Sequence, residues 1–480
     1  MRELLDASSQ RGMKVLETLI WMDNWVTARE LASMLNVSER TILDDLSYLK
    51  KRWGKYLNVD ISVKNGILMH NRNIAIMGKV FIDIFNDSTA LQWLERILFF
   101  PDQNIEFYEN KLFVSKSTLN RLLPKINGFL LKNGMSIQRN NNKYRIVGND
   151  ELYLRQFFAG FLIELHGLDF KMYNTKLDMS VFSEIVGNIM RLAVKSKSQD
   201  PIVRDDIAIG YFSVFYFISL IRESNGHKIF SDRQMNGELS ETNFLYIETN
   251  FPNICEENLR PIHEYIFNVS AGWTSDEEED LLMREAVAFY KRISDALNIC
   301  TNDDNLIRSS KIIKTLYLVT KYRPYGTSVL FDRVYYFSIL LKKQNSHVYK
   351  LIEDNLSILS ANIYMDLSPR LADLIFWMCL LYPDLTKLKL KKTALVVSDF
   401  GIQHANFLAQ SISCRDNSAI LETSVARYQD ILNPNIYEKY DMIITTIPDL
   451  PITHKCIVIV NDYPTVENMC EIYKLISSLA

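Results

Sequence analysis

The chain has 480 residues, enough for about three domains, or four or five small ones, and too many for one compact core. Hydrophobic residues make up 48% and charged residues 23%, which excludes a disordered, collagen-like or coiled-coil rod composition. The formal charge of −3 is unevenly spread: residues 1–160 carry 22 Lys+Arg against 17 Asp+Glu, so the remainder is acidic. From Lys111 to Asn149 there are eight basic residues and no acid, a stretch suited to a polyanion. The longest uncharged apolar run, Ile207 to Ile221, is shorter than the roughly 20 residues needed to cross a bilayer and predicts a buried helix. The N-terminal residues show no basic segment leading into an apolar run, so the expected location is cytoplasmic. Cys255, Cys300, Cys379, Cys414, Cys456 and Cys470 form no CxxC pair, which predicts reduced thiols and no zinc site.

In chain order, residues 11–22 place Met13, Leu16, Leu19 and Ile20 on one helical face. Thr27 is positioned to cap a second helix, with Glu30 three residues on. After a short turn at Asn36-Val37, Ser38 starts SERTILDDLSYLKKRW, in which Ile42, Leu46, Leu49 and Trp53 form the apolar face and Arg40, Thr41, Asp44, Ser47 and Lys51 the polar one. Two short helices joined by a tight turn, the second capped and polar on one side, predict a helix-turn-helix whose second helix enters the major groove. Ser38, Arg40 and Thr41, near its start, are the expected DNA-facing residues, with Ser47 and Lys51 further along. Two alternating apolar runs joined at Lys64-Asn65-Gly66 predict a hairpin, the wing. The plainer alternative is a helical bundle with a hairpin.

The same order recurs. Residues 88–99 predict a helix behind Ser88, NIEFYENKLFV another, and Ser115 starts SKSTLNRLLPKINGFLLKNG with Leu119, Leu122, Ile126 and Leu130 on one face. Pro124 is expected to kink that helix. MSIQRNNNKYRIVG predicts a second wing about an Asn-rich turn, carrying Arg139, Lys143 and Arg145. Lys116, Thr118 and Arg121 lie on the polar face, and Lys116, Arg121 and Lys125 are expected to be mainly phosphate contacts. Asp44 and Asp45 are expected to offset the charge of the first motif.

Two winged helices followed by a larger half resemble the Mga/AtxA family of Gram-positive transcriptional regulators, the carrying residues being SERTILDDLSYLKKRW and SKSTLNRLLPKINGFLLKNG. The resemblance covers nearly the whole chain and implies a mainly α, multidomain fold. Its expected divisions are winged helix-turn-helix 1 (1–72), winged helix-turn-helix 2 (73–150), two all-α domains similar to phosphotransferase-system (PTS) regulation domains (151–298 and 299–390) and an α/β enzyme IIB-like domain (391–480).

From Glu151 to Leu390 the pattern is helical, and FYFISLIRESNGH (Phe215–His227) aligns with YYFSILLKKQNSH (Tyr335–His347), which predicts a duplicated unit. The resemblance implies histidines open to phosphorylation by sugar-transport phosphocarriers; the family's usual position falls on Phe215, so His227 and His347 are substitutes, each expected at a helix C-terminus. The last ninety residues alternate strands with helices, predicting a small parallel α/β domain. Where an enzyme IIB carries a reactive cysteine, this chain has Ser398 in LVVSDFG, expected to have no neighbouring base. The domain is therefore read as a homodimerisation module. With no catalytic constellation, metal-ligand spacing or cofactor loop in view, the expected function is a DNA-binding transcriptional regulator of activator type linked to carbohydrate state. The alternatives are an architectural DNA-binding protein of low specificity and a phosphotransferase component.

Overall fold

The computed structural model describes the chain apart from residues 23, 63, 168–176, 197–205, 230–240, 272–274, 298–302, 323–330, 387–391, 416–420, 455 and 479–480. It is mainly helical, with two antiparallel hairpins and one small parallel sheet among the described residues. Two compact units are distinguished, one comprising residues 1–280 with 313–336 and the other 281–312 with 337–480, a coarser grouping than five sequence segments.

The first unit opens with α1 (Ala7–Ile20), α2 (Ala28–Leu35) and α3 (Glu39–Leu57), then β1 (Val59–Ser62) and β2 (Gly66–Met69). Met13, Leu16 and Leu19 of α1 and Ile42, Leu46, Leu49 and Trp53 of α3 are all buried, as their spacing predicts. Val26 bridges Ile67, giving the wing a short third strand. Gly66 has φ +101, and a Cβ there would stand 2.5 Å from the Val26 carbonyl oxygen, so the glycine permits that bridge. A helix not read from the sequence follows, α4 (Ile74–Asn86), capped by Asn73 and tied to α3 by a 3.0 Å hydrogen bond from Trp53 Nε1 to Asp83 Oδ2.

The second copy is α5 (Thr89–Phe99), α6 (Ile105–Leu112), α7 (Lys116–Leu131), β3 (Met135–Asn140) and β4 (Lys143–Gly148). Gln103 bridges Tyr144 as Val26 bridges Ile67. Asn141 and Asn142 both have positive φ between the paired Asn140 and Lys143, the conformation of a two-residue type I′ turn. Helix α7 runs unbroken through Pro124. Residues 120 and 124 are both exposed, so the Asn120 carbonyl that loses its amide partner is left to water.

Helices then follow without a strand among the described residues as far as residue 386: α8 (Glu151–His166), α9 (Met179–Ser196), α10 (Asp206–Ser224), α11 (Glu241–Asn250), α12 (Glu256–Ala271), α13 (Asp276–Leu297), α14 (Asp303–Tyr322), α15 (Arg333–Gln344), α16 (Ser346–Asn362) and α17 (Leu371–Leu381). As expected, the apolar run before Arg222 is a buried helix, α10. The second hairpin joins these helices through charge. Arg222 donates from Nη1 to the Ile146 carbonyl of β4 (2.9 Å) and from Nε and Nη2 to the two Glu151 carboxylate oxygens (2.7 and 2.6 Å). Arg155, fully buried, donates to Glu151, to Glu223 and to the His227 carbonyl.

In the second unit, β5 (Lys392–Val397), α18 (Ile402–Arg415), β6 (Leu421–Val425), α19 (Pro434–Tyr437), β7 (Met442–Thr445), β8 (Ile457–Ile459) and α20 (Val466–Ser478) build a parallel sheet of order β6-β5-β7-β8. Alternate residues of β5 fill opposite faces: Ala394 and Val396 pack with Leu408, Ile412 and Ile472, and Leu395 and Val397 with Ile431 and Tyr437. The described cysteines, Cys255, Cys379, Cys414, Cys456 and Cys470, are free; Cys300 lies outside the described residues.

Within the first unit, the Phe331 ring lies against Gly78 of α4, edge-on to Phe81 at 5.3 Å and stacked with Tyr336 at 5.0 Å. A Cβ on Gly78 would stand 2.6 Å from that ring. Gly78→Ala is therefore expected to destabilise the chain by about 1–3 kcal/mol through overpacking, measured as a lower denaturation midpoint at unchanged slope.

Candidate nucleic-acid interface

Both recognition helices start in the same way. Ser38 Oγ accepts the Thr41 amide (3.1 Å) and lies 2.7 Å from the Thr41 hydroxyl; Ser115 Oγ accepts the Thr118 amide (3.3 Å) and lies 3.0 Å from the Thr118 hydroxyl. The helices before them are capped too, α2 by a full capping box of Thr27 and Glu30 and α6 by Asn104, which accepts from the Phe107 amide. At constant spacing the equivalent positions are Val26 and Gln103, Thr27 and Asn104, Asn36 and Phe113, Ser38 and Ser115, Thr41 and Thr118. Each cap satisfies an amide that the first turn leaves unpaired and fixes where the helix begins.

The outward faces differ in charge. On α3, Arg40 is almost fully exposed and stands 4.0 Å from Asp44, while Ser47 and Lys51 are exposed without a side-chain partner among the described residues. Asp45 is buried and paired with Arg11 of α1, so it is a core ion pair; only Asp44 of the two offsets the charge of this face. On α7, Arg121 is exposed and has no side-chain partner among the described residues, as is Lys143 in the wing. Lys116 Nζ reaches Glu106 at 3.4 Å. Lys125 donates to the Leu5 carbonyl at 2.7 Å, and Arg145 is half-buried against Asp102 at 2.8 Å. Arg139 bonds Asn142 and lies over the Tyr144 ring. Sequence reasoning counted these cations alike, because the carbonyl and carboxylate that engage them come from distant segments.

It also passed over Phe113. This residue ends α6 with φ 55 and ψ 39, left-handed backbone that costs a non-glycine residue roughly 1–2 kcal/mol, and its side chain is 94% exposed. The clue was present in sequence: an aromatic residue at the turn where the first copy has Asn36.

The aligned histidines occupy opposite poles of their helices. His227 follows the C-terminus of α10: Gly226, at φ +81, donates to the Glu223 carbonyl and His227 to that of Arg222, a Schellman cap. Its ring is pushed down to about 4 by burial and then by Arg222, and Nε2 is buried without a hydrogen-bond partner. His347, expected at a helix C-terminus, is instead exposed in the first turn of α16, because Asn345 caps a new helix by accepting the Val348 amide. Negative charge is favoured at that pole.

Ser398, after β5, does have a neighbouring base. Its Oγ lies 2.8 Å from His404 Nδ1, and His404 Nε2 lies 2.9 Å from the Asp462 carbonyl oxygen, which orients the ring to accept from the serine. Ser398 is nevertheless buried, and Thr446 Oγ1 stands 3.3 Å from the same hydroxyl. Among the described residues, no group of three or more His, Cys, Asp or Glu is placed to hold a metal ion, and no helix is long and apolar enough to cross a membrane.

The depressed His227 pKa carries a sign. The unfolded ring takes up a proton near 6.5 and the folded ring only near 4, so stability present above pH 6.5 is lost as pH falls through that window. His227→Gln is expected to flatten this acid dependence by on the order of 1 kcal/mol, the full shift being reduced by the ring's partial exposure to solvent, read from denaturant titrations at stepped pH.

Residues 75–162, the segment holding α4 to α7, the second hairpin and the start of α8, match the Mga helix-turn-helix domain family. A Streptococcus pneumoniae protein whose name describes a trans-acting regulator is 30% identical over 199 residues, covering 41% of this chain and 38% of that protein. The capsule synthesis positive regulator AcpB of Bacillus anthracis is 19% identical over 254 residues (52% and 48%), and AcpA of the same organism 21% over 158 residues (33% and 32%). The chain thus spans less than half the length of each of these relatives. Residues 75–162 are thus similar to the Mga helix-turn-helix domain, and parts of the chain are similar to these named regulators.

Proposed function

We propose that this chain is a transcriptional regulator of activator type that binds double-stranded DNA through two winged helices and acts in the cytoplasm, not an enzyme. The observation that carries this reading is the duplicated capped helix, α3 and α7, each followed by a hairpin and each turning a polar face to solvent. The proposed contact set is Ser38, Arg40, Thr41, Ser47, Lys51, Lys116, Thr118, Arg121, Lys125, Arg139, Lys143 and Arg145. Within it Arg121, Lys143 and Lys51 act on phosphates directly, whereas Lys125 and Arg145 first have to leave the Leu5 carbonyl and Asp102. Arg40, near the start of α3, reads a base edge.

The activator reading rests on the names of the relatives, two of which are positive regulators of capsule synthesis. The finer architecture is proposed as two winged helices (1–72 and 73–150), two PTS-regulation-like helical domains (151–298 and 299–390) and an enzyme IIB-like domain (391–480). The last, with its parallel four-stranded sheet and buried serine, serves as a homodimer contact. Carbohydrate state enters through PTS phosphocarriers at His347, which is exposed at a helix N-terminus, more readily than at His227, whose Nε2 is buried.

Salt titration of duplex binding tests the interface. The Arg121→Ala, Lys143→Ala double variant is expected to weaken binding and to reduce the slope of log K against log salt by about 0.9 per lost contact. An unchanged slope in the folded double variant removes these residues from the phosphate contacts.

A further inference from the structure

We propose that Phe113 is a base-reading residue that packs on the 5-methyl group of thymine in the major groove, a role that rests on the DNA-binding reading above. Neither folding nor solubility accounts for this side chain. It is 94% exposed, so it contributes almost nothing to the core, and its backbone is left-handed, which a bulky residue adopts only against a steric cost. The equivalent position of the first copy is Asn36, with the same φ of 55, a residue type that tolerates this conformation. The second copy therefore keeps an aromatic residue where its own geometry favours Asn or Gly. Strain held at an exposed position points to a use outside the folded chain.

The surroundings identify the partner. Phe113 stands two residues before Ser115, the cap of α7, in the turn from which the recognition helix enters the groove. Exposed Lys111, Lys116 and Arg121 flank it in sequence, with no acid between Lys111 and Asn149. A ring on a segment where Lys111, Lys116, Arg121 and Lys125 outnumber Glu106 and Glu109 is better matched to a polyanion than to an apolar protein surface. The apolar feature of the major groove is the thymine methyl, and aromatic side chains contact it.

The test uses the full chain and Phe113→Asn, which installs the residue of the first copy. A randomised duplex library is selected with the wild-type chain, and each thymine of the enriched duplex is then replaced singly by uracil, which lacks only the methyl. The wild type is expected to lose affinity roughly fourfold at one or two positions, the worth of one buried methyl. Phe113→Asn is expected to bind the thymine duplex as weakly as the wild type binds the uracil one, to be indifferent to the replacement, and to melt at a higher temperature. Equal uracil sensitivity in both proteins overturns the assignment while leaving DNA binding intact. A lower melting temperature in the variant shows a packing role and also overturns it. If the variant changes self-association without DNA and leaves duplex affinity alone, the partner is protein and the assignment fails. A wild-type chain that enriches no duplex removes the DNA reading itself, and this one with it.

Discussion

The arrangement of the first unit depends on one buried guanidinium. Arg222 reaches from the end of α10 to the Ile146 carbonyl in the second hairpin and to both oxygens of Glu151. Removing two charges from water costs several kcal/mol per ion, and good geometry recovers it only when the remaining donors and acceptors are matched. Arg155 shares Glu151 and also takes Glu223 and the His227 carbonyl, while its own Nη1 and Glu223 Oε2 stay buried without a hydrogen-bond partner among the described residues. Burial opposes ionisation of Glu223, while the arginines hold Glu151 below the usual carboxylate range. Loss of either arginine would leave uncompensated carboxylate in the interior. The wing thus has its orientation set by the helical region and not by its own two strands.

The two winged helices share a plan and differ in how their charge is used. In the first, a partly buried ion pair between Arg11 and Asp45 joins α1 to α3, and exposed Asp44 offsets Arg40 near the start of α3 while Lys51 further along stays unpaired among the described residues. In the second, the cations nearest the body of the domain are spent internally: Lys125 on Leu5, Lys132 on Glu3, Arg145 on Asp102. Lys116 pairs with exposed Glu106, and Arg121 and Lys143 stay uncommitted among the described residues. A basic stretch in sequence is therefore partly scaffold and partly interface, and structure alone separates the two.

Much of the fold was legible because it rests on local chemistry. The Ser38, Thr27 and Ser115 caps, the apolar spacing of α3 and α7, and the two hairpins follow from side chains within four residues of each other. What escaped was non-local or permissive. Helix α4 has an Asn73 cap and an apolar period but falls between two motifs already assigned. His347 was misplaced because a match of thirteen residues does not reveal that Gly226 closes one helix while the aligned Ser346 begins another. The base beside Ser398 is six residues away on the next helix, visible only once the β5-to-α18 turn has brought His404 round. Phe113 stands out in sequence only against Asn36 of the first copy, and its strain shows only in the dihedral angle.

The seating of Phe331 and Tyr336 has a consequence for synthesis. Tyr336 stacks with Trp21 and hydrogen-bonds Glu17 and Arg2, so a residue made much later completes a surface around the first helix. With about 250 residues between Gly78 and Phe331 and elongation at roughly 5–20 residues per second, that surface waits some 10–50 s for its cover on the ribosome. Until then the apolar patch of Trp21 and Phe81 is open to chaperones or to neighbouring nascent chains. The first 150 residues thus reach their finished packing only after much of the helical region has been made, and a message truncated before residue 331 yields them without the Phe331 and Tyr336 rings that pack on Gly78, Phe81 and Trp21.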